Sequence, residues 1–587
     1  MTSSTSAEYG SDVIVDLIKA LEIEYVAFNP GATFRGIHDS LVNYGGNRSP
    51  EVVECCHEEI SVAIAHGYAK AAGRPMIAIT HDVVGLQHAS MAIFNAWCDR
   101  VPIIVLGGTG PMDASRRRAW IDWIHTALVQ GNLVRDFVKW DDQPYSIAAV
   151  PDSLIRAYRI AVTEPRGPVY VCFDADLQEA RLPEPVAIPD ISRYAPSAPL
   201  PANPEALHRA AELLSQSKNP VIIAGTVGRN PEAVEHLVKL AELLAAPVID
   251  CGQRFNFPNT HPLDLTGAEA DALREADVLL ALDVVDLFGA LGSVDKSTRA
   301  FASHIRPDTR IVNIALNDLL VRSWVADYQK LQPADVSILA DTALAIPQLM
   351  GACLETGVNS GDRGSRLEAI AAKHNALRAS WKARAQAVSG DVPIHPARLA
   401  SDVWEAIKDE DWVLVNGSLG GWARRLWEWT RPYQYLGESG GAGVGYGIGA
   451  ALGGALAYRN TDRLCVDLQN DGDLLYCTSA LWTAARHRLP VLIVMNNNRT
   501  YYNSQEHQEK IAQFRGRDPV QGSIGTTLTD PPVNFARLAE SFGVHAEGPI
   551  ERPDEIEPAI RRAVRVVKER RTAALVDVAT QPVSRRR

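Results

Sequence analysis

The sequence predicts an α/β protein made of three tandem, doubly wound domains, each a parallel sheet with helices on both faces. Two observations carry this expectation. Short, almost continuously apolar runs alternate along the whole chain with stretches of helical spacing, the pattern of buried parallel strands joined by crossover helices. Two compositional breaks then divide the 587 residues into three similar parts. Residues 182–204, LPEPVAIPDISRYAPSAPLPANP, are proline-rich and read as an extended linker. Residues 355–365, ETGVNSGDRGS, are polar and glycine-bearing and read as a second joint. The expected domains are therefore 1–185, 200–355 and 370–587.

In the first domain Glu24–Asn29, Met76–Thr80, Ile103–Leu106 and Val169–Phe173 are the expected strands, with Ile60–Ala72 helical. In the second they are Val221–Ala224, Val248–Asp250, Val278–Leu282 and Ile311–Asn313. In the third they are Trp412–Val415, Leu464–Leu468, Val491–Met495 and Ala574–Val578, with a helix over Ser479–Arg486.

Composition narrows the function. Hydrophobic residues make up 46% and charged residues 22%, the balance of a folded globular chain rather than a disordered or fibrous one. A net charge of −12 argues against a broad basic surface for nucleic acid. No apolar run approaches the ~20 residues of a membrane span. The opening MTSSTSAEYGSD lacks the basic and apolar parts of a signal peptide, so a cytoplasmic location is expected. Eight cysteines without a CxxC do not form a disulfide framework. In Cys55-Cys56-His57 adjacent side chains point apart, so buried or partly buried thiols are expected there rather than a metal site.

The chemistry concentrates in the third domain. The strand Leu464–Leu468 runs into Gln469-Asn470-Asp471-Gly472-Asp473, and Val491–Met495 runs into Asn496-Asn497-Asn498. Both loops lie at carboxyl ends of parallel strands, where open α/β sheets bind ligands. A lone Asp-Gly-Asp is usually a solvated turn. Here Asp471 and Asn498, 27 positions apart with a helix between them, each follow an apolar strand. Such hard oxygen donors suit Mg²⁺ bridging a phosphorylated cofactor.

This constellation resembles the thiamine diphosphate enzymes of the acetolactate synthase, 2-oxoacid decarboxylase and 2-hydroxyacyl-CoA lyase superfamily. Their pattern is Gly-Asp-Gly, a spacer of similar length and Asn-Asn; here it reads Asn470-Asp471-Gly472 and Asn497-Asn498, with Asn470 replacing the first glycine. The resemblance implies that Asp471, Asn498 and the carbonyl of Thr500 bind the metal, with Gly472 and Asp473 beside the diphosphate. A second match, Cys56-His57-Glu58 leading to Gly67-Tyr68-Ala69, makes Glu58 the carboxylate on the aminopyrimidine, or Glu59 if the register slips. A third, the glycine-dense 438–451, places Gly443, Val444 and Gly445 against the cofactor, with Val444 propping its bend. In that family the two halves of each site belong to different chains, which implies at least a homodimer and often a homotetramer.

The resemblance also nominates substrate-facing residues. Gln87, in the Thr80–His88 segment, lies near an amide position of the family, with His81 and His88 as acid/base candidates. His125 or Thr126 is placed to reach the substrate. From the residues themselves, Glu506 in the polar stretch after the metal loop is a proton-shuttle candidate against a solvated helix face. The terminal arginines 585–587 read first as a disordered basic end and second as a contact for a coenzyme A phosphate. The arginine-phenylalanine-acidic pattern of FAD-binding acetolactate synthases is missing after Leu282, so FAD is not expected. ADP or CoA in the central domain is compatible with the resemblance. The expected reaction is C–C cleavage or ligation beside a carbonyl, on a 2-oxo acid or a 2-hydroxyacyl-CoA. Condensation of 2-oxo acids and simple decarboxylation are the nearest alternatives. A nicotinamide oxidoreductase would rest on the Gly225 turn and Asp283 alone, without a full GxGxxG. A non-catalytic binding protein would be expected to lose Glu58 or Asp471, and both are present.

Overall fold

The computed structural model describes residues 3–4 and 7–583, except 119–123, 296, 320–325, 327, 329 and 359–360. Trp120 and the terminal arginines 585–587 lie outside the described residues.

Three parallel sheets form, as the apolar runs predict. The first comprises β1 (Tyr25–Phe28), β2 (Glu51–Glu54), β3 (Ile77–Thr80), β4 (Ile104–Thr109), β5 (Trp140–Asp142) and β6 (Val169–Asp174), in the order β2-β1-β3-β4-β6-β5. The second comprises β7 (Pro220–Ala224), β8 (Val248–Asp250), β9 (Val278–Leu282), β10 (Arg310–Ala315) and β11 (Val336–Leu339), ordered β8-β7-β9-β10-β11. The third comprises β12 (Trp412–Asn416), β13 (Leu464–Asn470), β14 (Val491–Asn497), β15 (His545–Ile550) and β16 (Ala574–Ala579), ordered β12-β13-β14-β16-β15. All twelve expected strands are present. Within these three sheets the four unanticipated strands, β2, β5, β11 and β15, are all edges. Two small antiparallel pairs, Ser3–Ser4 with Ala187–Ile188 and Gly292–Val294 with Phe301–Ser303, were not anticipated either. An edge strand is buried on fewer sides, so it needs no continuous apolar run and leaves a weaker trace in sequence.

The second joint differs from expectation: a helix over Arg363–Ala387 begins inside it. The central sheet has a core of its own, whereas the first and third sheets share one. Helix α1 (Glu58–Ala72) and helix α3 (Tyr446–Ala457) build that shared core. Between them in the chain, α2 (Asp82–Cys98) follows β3. His57 Nδ1 accepts the Glu59 amide at 3.1 Å at the start of α1, two glutamates occupy its first turn, and Gly73 closes it at φ 72°. α3 is apolar all round and almost wholly buried. Its glycines bring the two helices into main-chain contact: a Cβ on Gly67 would sit 2.0 Å from the Ala450 carbonyl oxygen, and one on Gly453 2.1 Å from that of Ile64. The first and third domains of one chain are thus fused side by side. Cys55 is buried and Cys56 exposed beside the capping His57.

Candidate active site

Two neighbouring strand tips build the first half of the site. β13 and β14 run parallel with Asn470 opposite Asn496. β13 passes directly into α4 (Asp471–Tyr476), so Asp471 is the first helical residue. Its carboxylate joins the tips: Oδ1 accepts the Gly472 amide at 2.8 Å and Oδ2 accepts the Arg499 amide at 2.6 Å. Asn498 Oδ1 accepts the Thr500 amide at 3.0 Å. Asp471, Asn498 and Thr500 line one cavity of about 400 Å³. Asp471 is 2% exposed, and burial pushes its carboxyl up to about 6. Among the described residues no ion pair compensates that carboxylate. A hard divalent ion would, so the donor set fits the implied metal.

Asn470 causes no strain where the family has glycine. Its backbone is extended (φ −85°), and its Oδ1 accepts Asn496 Nδ2 at 3.0 Å, a second tie between the tips. Gly472 has less latitude, since a Cβ there would lie 2.4 Å from the Tyr501 ring. Asp473, expected beside the diphosphate, directs its carboxylate to the glycine-rich segment. It accepts the Gly445 amide at 2.7 Å, the Gly447 amide at 3.0 Å and Gln469 Nε2 at 2.6 Å. Val444, between Gly443 and Gly445, is 36% exposed and faces the cavity. Helix α5 (Tyr502–Phe514) adds Tyr502 and Glu506 to the lining, with Glu506 paired one turn along to Lys510 at 2.9 Å.

The second half lies in the first domain. Glu58 is 4% exposed at the start of α1. Its Oε1 accepts Asn29 Nδ2 at 3.0 Å, and Oε2 lies 3.4 Å from His88 Nδ1. His57 stacks on His88, and ligand atoms of His57, Glu58 and His88 fall within 4.8 Å of one another. Beside them His81 Nδ1 is 2.9 Å from Thr33 Oγ1, and His81 Nε2 is 3.3 Å from His125 Nδ1. Thr126 Oγ1 accepts the Gly110 amide at 2.9 Å. Gln87 lies on the exposed side of α2 next to His88. Glu59 turns the opposite way, towards Gly445 and Cys477, and burial lifts its carboxyl to about 7.

Glu58 does not line the metal-tip cavity, although Glu59, Met91 and Asn95 of the same chain touch its glycine-rich wall. Every residue lining the metal-tip cavity comes from 396–583. The side-chain partners of Glu58 all lie in the first domain.

Residues 9–130, 207–349 and 416–578 match, in that order, the N-terminal TPP binding domain, the central domain and the C-terminal TPP binding domain of thiamine pyrophosphate enzymes. The chain belongs to that family. The benzoylformate decarboxylase of Pseudomonas aeruginosa is 27% identical over 541 residues, covering 90% of this chain and 91% of that one. The acetolactate synthase large subunit of Haemophilus influenzae is 24% identical over 569 residues, covering 94% and 92%. The solved benzoylformate decarboxylase from Polynucleobacter necessarius shares the fold, with a TM-score of 0.76 at 20% identity over 98% of this chain and 99% of that one. No helix among the described residues is long and apolar enough to cross a membrane.

The central domain of this thiamine pyrophosphate enzyme was compatible with ADP or CoA or with no ligand, and the turn after β7 offers a nucleotide phosphate little. In the turn after β7, the Gly225 amide is donated to the Leu282 carbonyl at 2.9 Å and that of Thr226 to the Asp283 carbonyl at 3.2 Å. The Gly228 amide is donated to Asn256 Oδ1 at 2.9 Å. The donors that would cradle a phosphate are spent. Arg229 fills the crevice, pairing with Glu164 of the first domain at 3.2 Å, with Asp341 at 3.4 Å and with the fully buried Asp283. Asp283, which in sequence resembled a ribose ligand, also accepts the Thr342 hydroxyl.

Asn29 and Thr33 were missed by sequence reasoning, although both follow an apolar strand at its carboxyl end, the same cue that found Asp471. Asn95 and Asp99, discussed below, carry no such cue because they lie within and just after a helix.

Proposed function

We propose that this thiamine pyrophosphate enzyme uses thiamine diphosphate and Mg²⁺ to break or form the C–C bond beside the carbonyl of a 2-oxo acid. It works as at least a homodimer, each site joining Glu58 of one chain to Asp471 of the other. The observation that supports this reading is that the metal-donor cavity is lined wholly from the third domain, while Glu58 bonds only within a carboxylate-and-histidine pocket of the first. Two copies related by symmetry would close both sites at once.

When bound, the cofactor supplies a nucleophilic thiazolium carbon and an electron sink for the bond beside it. Asp471, Asn498 and the Thr500 carbonyl would hold the metal and Val444 would support the bent coenzyme. The Glu58 carboxylate, oriented by Asn29, would hold a proton at the pyrimidine ring nitrogen. At the substrate, His81 is set by Thr33 on one ring nitrogen and by His125 on the other. That Thr-His-His chain can move a proton at the carbonyl oxygen.

Relatives named benzoylformate decarboxylase and acetolactate synthase support a 2-oxo acid. A coenzyme A thioester loses support with the filled central turn. The test is a panel of pyruvate, benzoylformate, other 2-oxo acids and 2-hydroxyacyl-CoAs, each with cofactor and Mg²⁺. CO₂ release or ligation from a 2-oxo acid is expected. Turnover of the thioesters alone, or of nothing in the panel, overturns the reading.

A further inference from the structure

The glycine-rich segment 438–447 has few side chains to hold its own shape, and it is gripped from outside at both ends. Asp473 binds the amides of Gly445 and Gly447 from the third domain. The first domain of the same chain takes the other end. Asn95 Oδ1 accepts the Ser439 hydroxyl at 2.7 Å and the Gly443 amide at 3.2 Å, and Asp99 Oδ1 accepts the Gly440 amide at 2.7 Å. Lys70, in the last turn of α1 and only 1% exposed, donates to the Glu438 carbonyl at 2.9 Å and to the Tyr446 hydroxyl at 3.0 Å. It also pairs with Asp99 Oδ2 at 2.5 Å, and His66 Nε2 lies 2.9 Å from the same oxygen.

The fit is close. A Cβ on Gly440 would lie 2.4 Å from Asp99 Oδ1, and one on Gly443 2.2 Å from Met91 Cε. Burial drives His66 down to about 4, so it stays neutral, while Lys70 and His66 hold the Asp99 carboxyl well below the usual carboxylate range. A buried ion pair is a poor source of net stability compared with apolar packing. This one anchors main-chain groups of a segment whose next residue, Val444, opens into the cofactor cavity.

Resting on the thiamine diphosphate reading of that cavity, we propose that Lys70, Asn95 and Asp99 are positioning residues that fix Val444 and its flanking amides for the bound coenzyme. Helix α1 then has a task at each end: Glu58 at its start serves one site of the dimer, and Lys70 in its last turn sets the loop of the other.

The test uses full-length Lys70→Met and Asn95→Ala, the second leaving the buried charges intact should the first fail to fold. Two quantities are measured: calorimetric affinity for thiamine diphosphate with Mg²⁺, and amide hydrogen exchange in the cofactor-free protein. Each variant is expected to bind the coenzyme roughly tenfold or more weakly. Exchange should quicken at Gly440 and Gly443 but not at Gly472 and Arg499, which Asp471 holds. Coenzyme affinity and exchange unchanged in both variants would overturn the positioning role alone. A wild-type chain that binds no thiamine diphosphate would overturn the cavity reading and this role with it.

Discussion

The Asp471 carboxylate accepts the Arg499 main-chain amide at 2.6 Å, so one side chain pins the tip of β13 to the loop leaving β14. That bond holds a carboxylate where Asn498 and Thr500 add further oxygens, and among the described residues no ion pair offsets its charge. Asp471→Asn keeps the size of the group and removes its charge. Coenzyme binding with Mg²⁺, measured by calorimetry, is expected to weaken roughly a hundredfold, about 3 kcal/mol. Chelating the metal from the wild type should reproduce the loss. A variant that binds the coenzyme normally and still needs Mg²⁺ would exclude Asp471 as a ligand.

A second carboxyl on β13 predicts a pH dependence. Asp467 is fully buried, its Oδ1 accepts Asn416 Nδ2 at 2.9 Å, and its Oδ2 has no partner among the described residues. Burial pushes its carboxyl up to about 8. The folded state therefore keeps a proton that the unfolded chain releases above about pH 4. The stability linked to that proton is complete below the unfolded value and drains away as pH rises through the folded one. Asp467→Asn retains the Asn416 bond and removes the titration. Its melting temperature should fall less than that of the wild type, by a few degrees between about pH 6 and about pH 8. Parallel melting profiles would show that Asp467 does not titrate in that range.

Sequence makes legible whatever is expressed as an apolar run followed by a polar tip. Central strands share that form and were found, and the same form nominates the metal donors. Of the six edges β8 and β12 were found, but β2 and β5 were not, because they read Glu-Val-Val-Glu and Trp-Asp-Asp, without the continuous apolar face that burial on both sides demands. The Gly225 turn looks like a phosphate cradle in one dimension. The reason for its glycine is the Asp283 carbonyl, 2.0 Å from where a Cβ would be, and that residue is distant in sequence. Asp473 lines the cavity beside Asp471, and only the fold reveals that its carboxylate also accepts amides from 445 and 447.

The α1–α3 contact predicts a strong steric effect. Gly67→Val would drive a branched side chain into the Ala450 main chain. A loss of about 3 kcal/mol is expected in urea unfolding, at the upper end of overpacking costs. A loss below about 1 kcal/mol would mean that the two helices can separate without penalty.

Arg229 predicts both a stability effect and an absence of binding. Arg229→Met leaves Glu164, Asp283 and Asp341 without their shared cation. Breaking a buried ion cluster from one side should cost about 3–5 kcal/mol in chemical denaturation. FAD and ADP should leave the melting temperature of the wild type unchanged, since the amides of the turn are occupied. A rise of several degrees with either nucleotide would show that the crevice opens.

The central claim is that each active site takes its glutamate from one chain and its metal ligands from the other. The most direct measurement mixes two variants, Glu58→Gln and Asp471→Ala, each expected to lose at least about a hundredfold in turnover as a homodimer. A mixed dimer, isolated through two different tags, would contain one doubly damaged site and one intact site. The account predicts that it regains about half of wild-type activity. A mixed dimer as inactive as its parents would mean that both residues serve a site within one chain, or none at all.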